Sequence, residues 1–138
     1  MKRIQTLQNQ LLKVLAGKEY RFSTDKLHDE LELLKIKDIK YQEILAFVHN
    51  FFSNKLPAVF DGYFKTLASI HNRNTRHGND LIKITGHDTD IEGLSIKIQG
   101  AKLWNKMNSD LKKIPKVKIF KKEYKLKCLQ TYKNQINS

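Results

Sequence analysis

Cysteine, proline and acidic side chains are scarce in this chain, and so are long apolar runs. Cys128 is the only cysteine among 138 residues. That excludes an internal disulfide framework and any zinc site built from several thiolates, and it fits a reducing compartment. No apolar run approaches the roughly 20 residues that a membrane-spanning helix needs. Met1-Lys2-Arg3 leads into an amphipathic stretch rather than a signal-peptide core. The chain therefore reads as soluble and intracellular, in cytoplasm and nucleus, with no membrane partner. Glycine loops that cradle phosphates, serine nucleophile motifs and paired catalytic carboxylates at usable spacing are missing too. Nothing in it forms a complete active site, and no cofactor is implied.

What is present is positive charge. Lys and Arg number 26 against 14 Asp and Glu, a formal net charge of +12. The excess sits at the ends: residues 1–22 carry five cations against Glu19, and residues 101–138 carry eleven lysines against Asp110 and Glu123. Between them the signs nearly cancel. Trp104, Phe120, Tyr124 and Tyr132 interleave with the C-terminal lysines, the footprint of a surface facing phosphates. The plain alternative is a solvated helix face that keeps the chain in solution.

Apolar spacing predicts the elements. Ile4, Leu7, Leu11 and Leu15 repeat at three and four residues, which makes residues 2–16 a helix that Gly17 closes. Ser23 or Thr24 caps a second helix carrying Leu27, Leu31 and Leu34. Asp38 opens a third, whose stripe of Tyr41, Ile44, Leu45, Val48, Phe51 and Phe52 makes it the main buried element until Leu56-Pro57 ends it. Leu11, Leu31, Ile44, Leu45, Val48 and Phe52 are expected to be buried together. Five of the six glycines fall between Pro57 and Gly100, so this is loop. Within it a short helix is expected over 58–67, and the alternating runs Leu81–Ile84 and Leu94–Ile98 give a short hairpin. After Gly100, residues 101–107 read as helical, Ser109 caps a further turn, and a last helix over about 117–132 turns Phe120, Tyr124 and Tyr132 inward.

The side chains able to carry chemistry form no convincing set. His28, His49, His71, His77 and His87 lack the spacing of metal-ligand pairs, so no metal is expected. Asp88-Thr89-Asp90 fits a capped turn better than a magnesium site. Cys128 could be activated by neighbouring lysines but lies on the apolar stripe of its helix. A hydrolase on His71, His77 and Asp88 would need those groups to converge in space. Trp104 reads as a core anchor. The loop from His71 to His77 joins Arg73 and Arg76 to amides and a hydroxyl, all groups that bind phosphate oxygens.

Several blocks, taken in order, resemble the C-terminal, post-palm region of non-LTR (LINE, jockey-like) retrotransposon reverse transcriptases. They are Ile4-Gln5-Thr6-Leu7-Gln8-Asn9, Lys55-Leu56-Pro57, Ile70-His71-Asn72-Arg73-Asn74-Thr75-Arg76, Gly100-Ala101-Lys102-Leu103-Trp104-Asn105, and Phe120-Lys121-Lys122 with Tyr124 and Lys125. Lys106-Met107 stands where that family often has Leu-Pro, and Arg73 replaces a histidine or serine type residue. The palm is missing, since no aromatic-x-Asp-Asp strand occurs. The resemblance implies a thumb-like or connection fragment of an RNA-directed DNA polymerase, without polymerase activity of its own.

These readings predict a mainly α-helical chain in three parts. Residues 1–56 form a helical thumb-like three-helix bundle, 57–100 a loop-rich connection with a possible hairpin, and 101–138 a basic helical segment. The expected function is non-catalytic gripping of a nucleic-acid backbone, as primer-template duplex or element RNA. The residues expected to do it are Lys2, Arg3, Arg73, Arg76, Lys102, Lys116, Lys118, Lys121, Lys122 and Lys125. The alternative is a packing module that docks on a reverse transcriptase palm through the Tyr41–Phe52 stripe and binds no nucleic acid.

Overall fold

Three of the helices stop in the same way, on a residue with left-handed backbone. The computed structural model describes residues 1–71, 81–84, 86 and 90–137, with the backbone alone for His71, Asp90 and Ile91. Helix α1 (Lys2–Leu15) ends at Gly17, whose φ is +59°. The Gly17 N–H donates to the Val14 carbonyl at 3.1 Å and the Lys18 N–H to Lys13 at 2.9 Å. This Schellman pair satisfies two carbonyls that a helix end would leave bare. Helix α2 (Thr24–Glu30) repeats the pattern at Glu32, φ +49°, with bonds from Glu32 to Asp29 and from Leu33 to His28. Helix α3 (Ile36–Phe52) does so at Asn54, φ +52°, so it has stopped before Pro57 can act.

The chain continues through a 3-10 turn (Ala58–Phe60), α4 (Leu67–His71), α5 (Asp90–Gly93), α6 (Ile96–Lys106), α7 (Ser109–Lys112) and α8 (Val117–Ile136). The protein is thus mainly α-helical, as its periodicity predicts. Three expectations fail. The short helix over 58–67 shrinks to the 3-10 turn, because the chain bends at Gly62 with φ +70°. The hairpin does not form. Ile82 makes one antiparallel bridge, with Thr66 instead, flanked by bonds from Lys83 to Lys65 (2.7 Å) and from Leu67 to Leu81 (2.9 Å). Leu94–Ile98 runs into α6, capped where the Ser95 hydroxyl accepts from the Ile98 N–H at 3.4 Å. Leu94 and Ile96 are exposed while Ile98 is buried. The three share no strand face, and Ile98 belongs with Ala101 and Trp104 at helical spacing. Asn108, not Ser109, caps α7, its side-chain oxygen accepting from Asp110 N–H at 3.0 Å.

The described residues form two compact units that do not follow the expected divisions at 56 and 100. One comprises Met1–Gln42 with Lys118–Ser138, the other Glu43–Val117. The discontinuous first unit brings α1, α2 and the start of α3 together with α8. Its buried side chains include Leu12, Leu27, Leu34, Phe120, Leu129 and Tyr132.

Residues on the second unit's α3 segment fill its core: Ile44, Leu45, Ala46 and Val48 are buried together with Phe64, Ile82, Ile98, Ala101, Trp104 and Leu111. Phe47 meets Phe60, Tyr63 and Phe64 edge to face at centroid distances of 5.2 to 6.2 Å. Gly100 is inside α6 rather than at a boundary. A Cβ built on it would lie 2.9 Å from Val48 Cγ2 and 3.3 Å from Phe64 Cζ, so α6 lies against α3 more closely than any side chain permits. Asn105 then forks onto Ile82, its amide oxygen accepting from the Ile82 N–H (2.9 Å) and its NH₂ donating to the Ile82 carbonyl (2.8 Å).

The expected common core is corrected at three positions. Leu11 and Leu31 are exposed and Phe52 is half-buried. For Leu11 the cause is that α1 presents its amides inward. Gln5 accepts from the Ile36 N–H at 2.9 Å, Gln8 donates to the Leu34 carbonyl at 2.9 Å, and Asn9 lies 3.3 Å from His28 Nε2. The Gln5 and Gln8 bonds satisfy a turn whose backbone groups would otherwise be buried without partners. Only Leu12 of the α1 aliphatics is buried.

Candidate nucleic-acid interface

Helix α8 carries Lys118, Lys121, Lys122, Lys125, Lys127 and Lys133 against a single acid, Glu123. Its inner face is fixed by Phe120, Leu129 and Tyr132, all buried. Gln42 donates to the Lys121 carbonyl at 2.8 Å, and Tyr132 accepts from the Lys35 N–H at 3.2 Å while its hydroxyl donates to Asp38. Burial, with the bond to Asp38 next, pushes the Tyr132 phenol up. Tyr124 moves the same way, and burial pushes the Cys128 thiol up to about 11. Cys128 is therefore a protonated, half-buried thiol at neutral pH, the opposite of an activated nucleophile.

This anchoring decides which lysines face water. Lys118 and Lys122, at i and i+4, are exposed; Lys121 and Lys125 are half-buried at the margin of the inner face. Lys2 and Arg3 are exposed at the start of α1 in the same unit. Lys116 and Lys102, both exposed, belong to the second unit. Arg73 and Arg76 lie outside the described residues. Neither α1 nor α8 has an acid in its first turn. Cations there oppose the positive end of the helix dipole, so both termini favour an anion from outside.

The histidines split. His28 and His49 are buried, and His77, His87 and Asp88 lie outside the described residues, as do the side chains of His71 and Asp90. Among the described residues no three His, Cys, Asp or Glu side chains are grouped to hold a metal ion. His49 Nε2 donates to the Ile114 carbonyl at 2.6 Å. His28 donates from Nδ1 to the Leu33 carbonyl at 2.8 Å, and burial, outweighing that bond, holds its pKa below the ordinary value. Charging is therefore easier in the unfolded chain. The stability from neutral His28 is complete above about pH 6.5 and is lost as pH falls below it. Urea midpoints measured from pH 7.5 to 5 should decline, and His28→Gln should flatten that decline.

Sequence reasoning missed a polar cleft of about 430 Å³ in the first unit. Gln5, Asn9, Asp25, Lys35, Asp38 and Tyr132 are among its lining residues. Lys35 pairs with Asp25 at 2.9 Å and lies 4.5 Å from the centre of the Tyr132 ring. The signal for it was the Gln5, Gln8, Asn9 spacing, which puts three amides on one helix face. Trp104 is buried and stacked on Phe52 at 5.1 Å, which keeps it from stacking on a base.

No helix among the described residues is long and apolar enough to cross a membrane. The chain matches no protein-family model, no curated protein and no solved structure.

Proposed function

We propose that the chain is a non-catalytic module that grips the sugar-phosphate backbone of nucleic acid. It resembles the post-palm region of a non-LTR reverse transcriptase and has no polymerase activity of its own. The observation that carries this reading is α8, where six lysines stand against one acid and the exposed candidates Lys118 and Lys122 sit in the helix's first two turns. Fixed cations and helix dipole there favour the same ligand sign. Lys2 and Arg3, and in the second unit Lys102 and Lys116, extend the set, with Arg73 and Arg76 as further candidates. Primer-template duplex or element RNA is the proposed ligand, and a reverse transcriptase palm a proposed neighbour. The burial of Ile44, Leu45 and Val48 in the second unit supports this reading over the alternative, a packing module docked through the Tyr41–Phe52 stripe.

Gel shifts with single-stranded, duplex and hybrid probes across a salt series test the proposal. Log affinity should fall linearly with log salt, by roughly 0.7 to 0.9 per phosphate neutralised. Replacing Lys118 and Lys122 with Gln should flatten that slope by about one to two units without changing preference among sequences. The emission of buried Trp104 should barely change on binding. Equal binding by wild type and a Lys118→Glu, Lys122→Glu variant at low salt would make α8 a solvated face only.

A further inference from the structure

The outward side of α1 is aliphatic. Ile4, Leu7, Leu11, Val14 and Leu15 are 55%, 63%, 58%, 77% and 72% exposed. Single exposed leucines need no explanation, but five along four turns of one helix form the kind of patch that marks an interaction surface. The helix cannot simply roll to bury them. The opposite face is held by Gln5 to Ile36 and Gln8 to Leu34, and a half-turn would break both.

We propose that α1 docks an acidic amphipathic protein helix along this stripe. Two observations choose the occupant. Ile4, Leu7, Leu11 and Val14 fall at alternating intervals of three and four, the a and d positions of a heptad, which a second helix fits and an extended strand does not. The helix is cationic: Arg3 stands at g beside the seam, α1 as a whole contains Lys2, Arg3 and Lys13 and no acid, and the segment after it adds Lys18 and Arg21 against Glu19. A partner with acids beside its apolar seam complements that fringe. A second copy would bring the same cations to the same seam on a chain of net charge +12. A lipid surface is disfavoured because the stripe has no Trp or Phe to seat at an interface. The inference does not rest on nucleic-acid binding.

The test uses the full chain and a fluorescein-labelled synthetic helix with leucine at a and d and glutamate at e and g, followed by anisotropy. Wild type should bind it at least about tenfold more tightly than a Leu7→Asn, Leu11→Asn variant, whose altered positions are exposed and whose helicity is checked by circular dichroism. The same peptide with lysine at e and g should not bind. An Arg3→Glu, Gln10→Glu variant, changed at both g positions, should lose the glutamate peptide and accept the lysine one. Equal binding of a sequence-scrambled glutamate peptide would overturn the proposal. So would a wild-type dimer in sedimentation that the asparagine variant abolishes. Uptake by phosphatidylserine vesicles without peptide binding would also overturn it.

Discussion

Replacing Trp104 with alanine is expected to cost about 3 to 5 kcal/mol of folding stability, the usual range for emptying a large aromatic from a core. Trp104 is 3% exposed, its ring lies nearly parallel to Phe52, and Lys112 approaches it at 5.7 Å from the centroid. Alanine would leave Phe52 and the Lys112 ammonium facing a void. Against a total of about 5 to 15 kcal/mol for a domain, that loss is a large fraction. The urea midpoint, followed by helical ellipticity because the sole tryptophan is gone, should fall by about 2 M. A loss below about 1 kcal/mol would place Trp104 at the surface, where its ring would be free to meet a ligand.

Gly100→Val is the second large effect, expected at about 3 kcal/mol, near the upper end of overpacking costs. Glycine inside a helix ordinarily costs about 1 kcal/mol relative to alanine, so substitution here would stabilise if space allowed. It does not. The first added carbon already lies 2.9 Å from Val48 Cγ2, on a β-branched side chain with little rotamer freedom, and valine adds two methyls beyond it. The cost appears as separation of α6 from α3 within the second unit. Equilibrium unfolding of Gly100→Ala, Gly100→Ser and Gly100→Val should rank by volume, with valine least stable. Equal or higher stability for the valine variant would show that α6 and α3 are not in this contact.

Helices were legible because their signals are local. The stripe of α3, the Gly17 stop and the aromatic inner face of α8 are written within a few turns of chain. What was misread depends on partners far away in sequence. Gly100 looks like a boundary on its own, and only Val48, 52 residues earlier, shows that it is a contact point. The aliphatic stripe of α1 looks like a core face until Ile36 and Leu34 engage the amides opposite. Leu94–Ile98 alternates like a strand, but the Ser95 cap and the burial of Ile98 decide for a helix. The candidate cations were legible as a run of charge. Their division into exposed Lys118 and Lys122 and half-buried Lys121 and Lys125 follows from how Phe120, Leu129 and Tyr132 orient α8.

The Asn105 fork has a chemical consequence of its own. It meets one donor and one acceptor on the same residue, Ile82, with one acceptor and one donor at matching separation. Hydrolysis of that amide to a carboxylate changes a single atom and almost no volume. Yet the product would turn an oxygen toward the Ile82 carbonyl where an NH₂ now donates, like facing like. Position 105 therefore discriminates by hydrogen count rather than by size. Ageing of the protein at this one side chain would loosen residues 81–83 from α6, and with them the buried Ile82 side chain that they seat in the core.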